Sequence, residues 1–341
     1  MSRTKRTESA NVIGLLEEVF QTARSLPASA WAVYFAATLP LAIGFLYFWG
    51  DMANGALAWN RLGVWSLALA VLFVWAKTGQ ALFSRRVLAH VMGEFDMERP
   101  RVRSMLVNQV VLQSTGLIVL PLCLLVVAPF GWAYAVYQNS TALDDGRKSI
   151  RELLRESRRQ AGLNVAQNNY MLWLICPYAV GVAAAFFLLI VPVMKMMTPE
   201  WTDFILVIYS GIIAIVLIPL CPFGMAVALN IGIGLQTLPS LLRMTLGIDT
   251  SFTISPSGAV GPTFFVTVVC LTYLCLDPLI KIAYTLRCFY GDSLRSGKDL
   301  RIRLGRLASS LAVASAMLLA AFAVSPAAAQ DAPESVAALD N

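Results

Sequence analysis

Two oppositely charged side chains, Asp277 and Lys281, stand four residues apart inside a long apolar stretch of the chain. On a helix, this spacing puts the carboxylate one turn before the ammonium, which is the favourable order for an ion pair. An ionisable group within a membrane segment is a candidate functional group. The nearby lysine nevertheless favours a local structural pair, and Pro278 predicts a kink beside it.

Other patterns that could carry chemistry fail on their spacing. The segment GDSLRSGKD, residues 291–299, has five residues between its glycines, where a phosphate-binding P-loop has about four and continues into Ser or Thr. One histidine, His90, is too few for a convincing Ser-His-Asp arrangement. The six cysteines have no CxxC pair and no accompanying histidine, so neither a disulfide framework nor a zinc site fits. We expect no catalytic residue, no cofactor and no metal.

Composition places the chain in a membrane. Hydrophobic residues make up 58% of the chain, which exceeds the apolar share of a soluble domain, and charged residues make up only 13%. Apolar runs that reach or approach the ~20 residues needed to cross a bilayer cover 31–49, 62–83, 105–137, 171–197, 204–235, 261–283 and 307–324. The sequence therefore predicts an all-α polytopic transmembrane bundle with about six or seven membrane segments. The basic residues flank these runs, so we expect anionic lipid headgroups as partners and no nucleic acid.

Two of the runs, 105–137 and 204–235, are interrupted by Pro-Phe-Gly. The candidate structural or functional residues there are Pro129, Gly131, Pro222 and Gly224. Each run either crosses once or forms a hairpin that enters and leaves by one face, and the positive-inside rule favours the hairpins. The matching segments PFGWAYAVYQN and PFGMAVALN hint at an internal duplication, as in the inverted repeats of transporters. Chance is the alternative, because Pro, Gly and Ala are common in membrane helices.

Amphipathic basic segments are expected at the membrane surface. Residues 1–30 form a cytoplasmic tail with an interfacial helix, 31–286 form the multipass domain, and 287–306 form a basic interfacial segment. Within the multipass domain, 144–169 carries an apolar stripe at helical spacing and six Lys or Arg. The residues expected to face lipid headgroups are Arg151, Arg155, Arg158, Arg159, Arg287, Arg295, Lys298, Arg301 and Arg303.

The C-terminal segment 307–341 combines an apolar run with Ala327, Ala328 and Ala329 before Gln330. This pattern imitates a signal peptide with its cleavage site. The plain interpretation is a seventh helix carrying an acidic periplasmic tail. The alternative is a cleavable link to a periplasmic domain.

Two segments carry a resemblance to known proteins. The pattern DPLxKxxYxLRCFYGxSLxSGxDL begins at Asp277, and AxxLPLxxGxLYFWxDM ends at Met52. Together they resemble a family of uncharacterised multipass inner-membrane proteins of bacteria. A looser similarity is to the membrane domain attached to some glycerophosphodiester phosphodiesterases, whose catalytic barrel is not present here. The resemblance implies an integral membrane role in the cell envelope and no catalytic residue.

These observations predict a protein of the bacterial inner membrane with a cytoplasmic N-terminus. Its expected role is a scaffold or assembly partner in the cell envelope, with membrane or periplasmic proteins as partners. The alternative is a transporter of small solutes or lipids, and an intramembrane enzyme ranks third. A transporter needs its intramembrane polar groups in one cavity, whereas a scaffold tolerates their dispersal, which we expect; those groups are Asn108, Gln109, Gln113, Asn230 and Asp277.

Overall fold

The computed structural model describes residues 12–55, 58–93, 100–126, 130–175, 222–247 and 262–324. All regular structure in these ranges is helical and no strand occurs there, which confirms the all-α prediction. The helices are α1 (Val12–Ser25), α2 (Ala28–Asn54), α3 (Ala58–Met92), α4 (Val102–Val126), α5 (Phe130–Leu143), α6 (Ile150–Leu163), α7 (Val165–Ile175), α8 (Pro222–Leu246), α9 (Pro262–Ser296) and α10 (Lys298–Val324).

Local sequence sets several of these helix boundaries. Pro222 and Pro262 each begin a helix, a position where the missing proline N–H costs nothing. Ser149 caps α6 through a capping box in which its side chain and that of Glu152 each accept from the other's backbone N–H. Pro278 lies inside α9, and the helix continues through it.

Four of the described helices are long and apolar enough to cross a membrane. They cover Ala28–Ala53, Asn60–Met92, Phe223–Leu246 and Thr263–Ser296. The runs at 171–197 and 204–235 lie largely outside the described residues, and the run at 307–324 falls within α10. The described part of the chain therefore supports a multipass membrane protein with four candidate spans.

The run at 105–137 folds back on itself. A hydrogen bond of 3.3 Å joins Gln113 on α4 to Thr141 on α5, and another of 3.2 Å joins Thr115 to Tyr137. In these two pairs the residue number increases along α4 while it decreases along α5, so the two helices are antiparallel. The start of α4 and the end of α5 thus lie on one side of the molecule, while Pro129 lies outside the described residues.

Helices α2 and α3 form a second antiparallel pair. Asp51 and Arg61 form an ion pair at 3.5 Å near the connection. Farther along the pair, a Cβ added at Gly79 would overlap Ala37, so the two backbones approach closely there. Small residues permit such close approach of membrane helices.

Basic residues from separate segments collect at one end of the helices in 12–291. There Arg86 donates to the Ser29 backbone carbonyl, Arg85 donates to the Asp145 carbonyl at 3.1 Å, and Ser25 contacts His90 at 2.9 Å. The ends of α1, α3 and α5 therefore meet the beginnings of α2 and α6. We call this end the basic side.

The hydrophobic core lies toward the basic side. Tyr34, Phe83 and Tyr284 are among the largest fully buried side chains, and Val19 of α1 belongs to the same cluster. Away from that side, the helices carry exposed apolar side chains, as at Val64, which is 73% exposed. Contiguous exposed apolar surface of this kind marks contact with lipid or another protein.

The amphipathic helices α1 and α6 use their apolar faces inside the protein. Leu15 and Val19 of α1 are buried, as are Leu153, Ser157 and Ala161 of α6. We expected these faces to rest on the membrane surface, but neighbouring helices cover them instead. The polar faces of the two helices remain available to lipid or partners, together with Ile13 of α1 and Leu163 of α6, which are exposed.

The chain divides into two compact units, 1–291 and 292–341. In the second unit, the described residues form the end of α9 and the whole of α10. Gly297 separates these helices at a φ of 62°, a left-handed conformation that favours glycine at a helix end.

Candidate functional site

A group of polar side chains, most of them buried, surrounds Asp277 on α9. Tyr34 of α2 donates to Asp277 Oδ2 at 2.7 Å, and Gln80 Nε2 of α3 donates to the same oxygen at 2.7 Å. Gln80 Nε2 also donates to the Tyr273 hydroxyl at 2.9 Å. Three helices are therefore joined through one carboxylate.

Lys281 lies on the opposite side of that carboxylate. Its Nζ is 4.0 Å from Asp277 Oδ1 and donates to Gln138 Oε1 of α5 at 2.5 Å. The two charged side chains are 1% and 3% exposed, so both are removed from water. We call Tyr34, Gln80, Gln138, Tyr273, Asp277 and Lys281 the Asp277 cluster.

Burying the charges of Asp277 and Lys281 has a free-energy cost that the rest of the Asp277 cluster must offset. A buried charge costs several kcal/mol unless it is paired and hydrogen-bonded. Here the ion pair and the hydrogen bonds from neutral side chains offset that cost, and the residues that form them lie on four helices. The buried Gln80 Oε1 has no hydrogen-bond partner among the described residues, so the cluster retains one unused acceptor.

A second cluster surrounds Asp144, just after α5. Asn108 donates to Asp144 Oδ1 at 3.1 Å, Gln109 donates to Oδ2 at 2.8 Å, and the Gly146 N–H donates to Oδ1 at 3.0 Å. Burial raises the pKa of the Asp144 carboxyl, and the three hydrogen bonds only partly oppose that rise. With Gln113 and Thr141 these residues form the Asp144 cluster, which ties the two ends of the α4–α5 hairpin together.

A third arrangement holds the junction of α6 and α7. The Arg287 guanidinium donates to the backbone carbonyls of Gln160 and Asn164 at 3.3 and 3.1 Å. It also donates to the side chains of Gln167, at 3.1 Å, and Asn168. Helix C-termini leave carbonyls without intrahelical partners and favour nearby cations. We call this arrangement the Arg287 clamp.

The position of Arg287 corrects the sequence-based expectation. We expected it to face lipid headgroups, but it is 7% exposed and bonded within the protein. The next residue, Cys288, donates to the Asn139 side chain at 3.3 Å. Helix α9 therefore remains inside the protein until Gly291, where an added Cβ would overlap Gln160.

The Pro-Phe-Gly residues are only partly described. Gly131 is buried in α5, where an added Cβ would overlap Asn169 of α7. Gly224 is buried near the start of α8, and Pro222 is the first residue of that helix. Gly131 thus lies at a close contact between α5 and α7, whereas Pro129 lies outside the described residues.

The remaining predicted basic residues divide into exposed and paired positions. Arg159 forms an ion pair with Glu156 on α6. Arg303 lies in α10, in a part of the helix whose side chains fall outside the description. The positions with exposed side chains are Arg151, Arg155, Arg158, Arg295, Lys298 and Arg301.

The five intramembrane polar residues of the cavity hypothesis occupy three places. Asn108, Gln109 and Gln113 belong to the Asp144 cluster, and Asp277 centres its own cluster. Asn230 is exposed on α8 and donates to the Ala226 carbonyl of its own helix at 2.7 Å. In the described ranges these side chains do not converge on one cavity.

The sequence does not reveal the partners that the Asp277–Lys281 pair finds on other helices. Tyr34, Gln80 and Gln138 lie in three different helices, and nothing in the spacing of one helix reveals the others. The one available signal was that polar residues lie within apolar runs, where each needs a partner. Among the described residues, no three His, Cys, Asp or Glu side chains are grouped as metal ligands.

Comparisons of the chain with protein-family models, with curated proteins and with solved structures found no match. The geometry of the three polar arrangements is therefore the basis for inferring function.

Proposed function

We propose that this protein is a scaffold or assembly partner in the envelope of a bacterial cell, held in the inner membrane by six or seven membrane segments. The observation that carries the proposal is the use of its buried polar groups. Asp277 bonds to α2 and α3, Arg287 bonds to residues of α6 and α7, and Asp144 bonds to two side chains of α4. Such bonds fix one arrangement of helices and do not require a passage for solute.

The topology follows from the distribution of charge. The basic side gathers Arg85, Arg86 and the exposed arginines of α6, and positively charged segments favour the cytoplasm. We infer that this side, the N-terminus included, is cytoplasmic. The four candidate spans, the α4–α5 hairpin and the runs at 171–197 and 307–324 together give the proposed number of segments.

The partner surface we infer is the polar face of α6. Its apolar face is buried in the protein, so the helix is rigidly held while Arg151, Arg155 and Arg158 point outward, exposed. A fixed row of guanidinium groups suits an acidic protein partner as well as anionic lipid. A rigid surface also avoids the entropy cost of ordering a loop on binding.

A transporter is the second candidate, and one observation favours it. The Asp277–Lys281 pair lies within a candidate span, where ionisable groups mark ion and proton pathways. The bonds to Tyr34, Gln80 and Gln138 occupy these groups, which supports the scaffold more strongly.

The test is site-specific photocrosslinking in the native cell. A crosslinking amino acid is placed at Gly162, which is exposed on α6, and at Arg61 near the opposite end of the α2–α3 pair. A scaffold predicts a discrete protein adduct from position 162, reduced when Arg151, Arg155 and Arg158 are changed to Gln. Adducts with lipid alone, in wild-type and variant cells alike, would contradict the proposal.

A flux measurement distinguishes the transporter alternative from the scaffold. Cells or vesicles carrying Asp277→Asn are compared with wild type for proton or sodium movement. The scaffold proposal predicts equal flux in both. A flux that requires Asp277, together with no adduct from position 162, would reverse the ranking.

A further inference from the structure

Helix α8 carries an exposed amide, Asn230, within a candidate membrane span. The span begins at Phe223, and the Asn230 side chain is exposed. Two residues later, a Cβ added at Gly232 would lie 3.9 Å from Phe264 and from Val268 of α9. Those two residues also belong to a candidate span. Asn230 therefore lies at a depth where hydrocarbon surrounds the protein.

Asn230 belongs to a continuous exposed face of α8. Residues at intervals of three and four share one face of a helix. We call this set the Asn230 face, and all its members are exposed: Ala226, Asn230, Ile233, Gly234, Thr237 and Leu241. Gly232, which faces α9, is about 200° around the helix from Asn230. The Asn230 face is therefore turned away from α9. Arg243, the charged residue of α8, is about 220° from Asn230, so the face carries no charge.

The Asn230 amide is only partly used within its own helix. Its Nδ2 donates to the Ala226 carbonyl at 2.7 Å, and the amide has a second N–H and an acceptor oxygen besides. Neither of these has a partner among the described residues. Hydrocarbon offers nothing that bonds to them, and an amide without partners is unfavourable there. The site therefore favours a partner that brings both a donor and an acceptor to this depth.

Gly234 lies one turn from Asn230 on the same face. An added Cβ would have no neighbour within 4 Å, so no contact with the described residues requires a glycine at this position. A glycine inside a helix destabilises it relative to alanine. On the surface of a membrane helix, however, glycine lets a second backbone approach closely. The spare amide and the open space thus lie together, where a second helix would use both.

From the position of Asn230 beside Gly234 we infer that two copies of this protein associate through the Asn230 face of α8. All copies insert in the same orientation, so a two-fold axis along the membrane normal places identical residues at equal depth. Each Asn230 then donates to the amide oxygen of the other, while Gly234 lets the two backbones approach closely. The inference goes beyond the scaffold role and depends only on insertion in the membrane.

A second copy fits this face better than lipid or an unrelated helix. Acyl chains bring no donor or acceptor to the Asn230 amide. An unrelated membrane helix would need a polar group of its own at the same depth, whereas a second copy has one there by symmetry. Because Arg243 lies on the far side of α8 from Asn230, no repulsion between like charges opposes the pairing.

The experiment uses the full-length protein, expressed in one cell as two copies with different epitope tags. A photocrosslinking amino acid replaces Ile233 of the Asn230 face or, as the control, Val71 of α3; these side chains are 59% and 63% exposed. We expect an adduct carrying both tags from position 233 and little from position 71. Purified protein in vesicles of phosphatidylcholine and phosphatidylglycerol should give the same adduct, because no other protein is required.

The variants assign the association to the site. Asn230→Leu removes the amide and should weaken association in vesicles about three- to tenfold, whereas Asn230→Gln keeps an amide and should recover most of it. Gly234→Leu fills the open space and should also weaken association. Gly63→Leu is the matched control, because Gly63 of α3 is exposed with no neighbour within 4 Å of an added Cβ, and it should change nothing. All three positions are exposed, so loss of folding does not explain a difference.

Three results would overturn the inference. Equal two-tag adducts from positions 233 and 71 would indicate random collision in the membrane. Adducts from position 233 confined to one chain, or formed only with a different protein, would show that something other than a second copy covers the face. Unchanged association in both Asn230→Leu and Gly234→Leu would remove the role of the two residues. None of these results bears on the scaffold role, which crosslinking from position 162 tests separately.

Discussion

Tyr34 donates a hydrogen bond of 2.7 Å to Asp277, and the two residues are 243 positions apart in the chain. This bond connects the first candidate span to the last one described. Because Lys281 continues the connection to α5, the Asp277 cluster stabilises contacts that the lipid-facing apolar surfaces cannot specify.

Removing the buried carboxylate should be strongly destabilising. In Asp277→Ala, the Lys281 ammonium remains buried without its anion, and such a loss costs about 3–5 kcal/mol. Thermal unfolding in detergent should show the loss as a lower midpoint. Asp51→Ala is the matched control, because its partner Arg61 is 56% exposed and exposed pairs contribute at most about 1 kcal/mol.

The double variant Asp277→Leu with Lys281→Leu distinguishes charge imbalance from lost packing. We expect it to be more stable than Asp277→Ala, because no buried charge is left unpaired. Equal or greater destabilisation in the double variant would show that the pair itself, and not the isolated charge, governs stability.

Gly146 should not tolerate a side chain. Its φ is 72°, a left-handed conformation, and an added Cβ would overlap the Arg101 backbone carbonyl. Gly146→Ala should cost about 1–3 kcal/mol through backbone strain and more through the overlap. Gly162→Ala provides the comparison, since it lies within α6 with open space around it and should be neutral or stabilising.

Asp144 should make stability depend on pH. Its pKa is raised in the folded protein by burial, so the folded state holds this proton more tightly than the unfolded state. Stability from this group is therefore greatest at low pH and falls as pH rises from the ordinary value of 3.8 through the folded pKa. Asp144→Asn should remove that component from the unfolding midpoint measured against pH.

The neighbouring Asp145 contributes with the opposite sign, so the difference between wild type and Asp144→Asn is the quantity to compare. Burial raises the Asp145 pKa, but hydrogen bonds from the Arg147 and Lys148 backbone and the charges of Lys148 and Arg85 outweigh it and leave it lowered. Its stabilisation is lost as pH falls. Identical pH profiles for wild type and Asp144→Asn would contradict the assignment.

Loss of the Arg287 clamp should loosen the junction of α6 and α7. Arg287→Met keeps much of the side-chain volume but leaves several buried acceptors without donors, at a cost of about 3 kcal/mol. Hydrogen exchange should accelerate at 160–168, with little change in α2. Arg287→Lys should recover only part of the protection, because one ammonium cannot reproduce the fork of a guanidinium.

Labelling of introduced cysteines should show on which side of the membrane each position lies. In intact cells, a cysteine at Arg158 should resist a membrane-impermeant thiol reagent and react after permeabilisation, whereas a cysteine at Arg61 should react before it. Both positions are exposed, so accessibility within the protein does not explain a difference. Reaction at position 158 from outside would contradict both the proposed orientation and the hairpin topology.

The sequence alone determined that the described chain is helical and suited to a membrane. Apolar runs of adequate length, basic flanks and the i, i+4 spacing of Asp277 and Lys281 are local properties, and they predict helices and the near ion pair without any tertiary contact. The apolar face of α6 could also be predicted from the spacing of its residues. The sequence could not show what covers that face, because an amphipathic stripe is equally compatible with lipid and with protein.

Only the tertiary structure decided which polar residues meet. Tyr34, Gln80 and Gln138 reach Asp277 and Lys281 from three helices, and Arg287 caps a helix more than a hundred residues earlier in the chain. Such partners depend on the rotation and depth of each helix in the bundle, which hydropathy leaves undetermined because lipid and protein interior are similarly apolar. Burial then made these contacts obligatory, since in that environment each polar group had to find its partner within the protein.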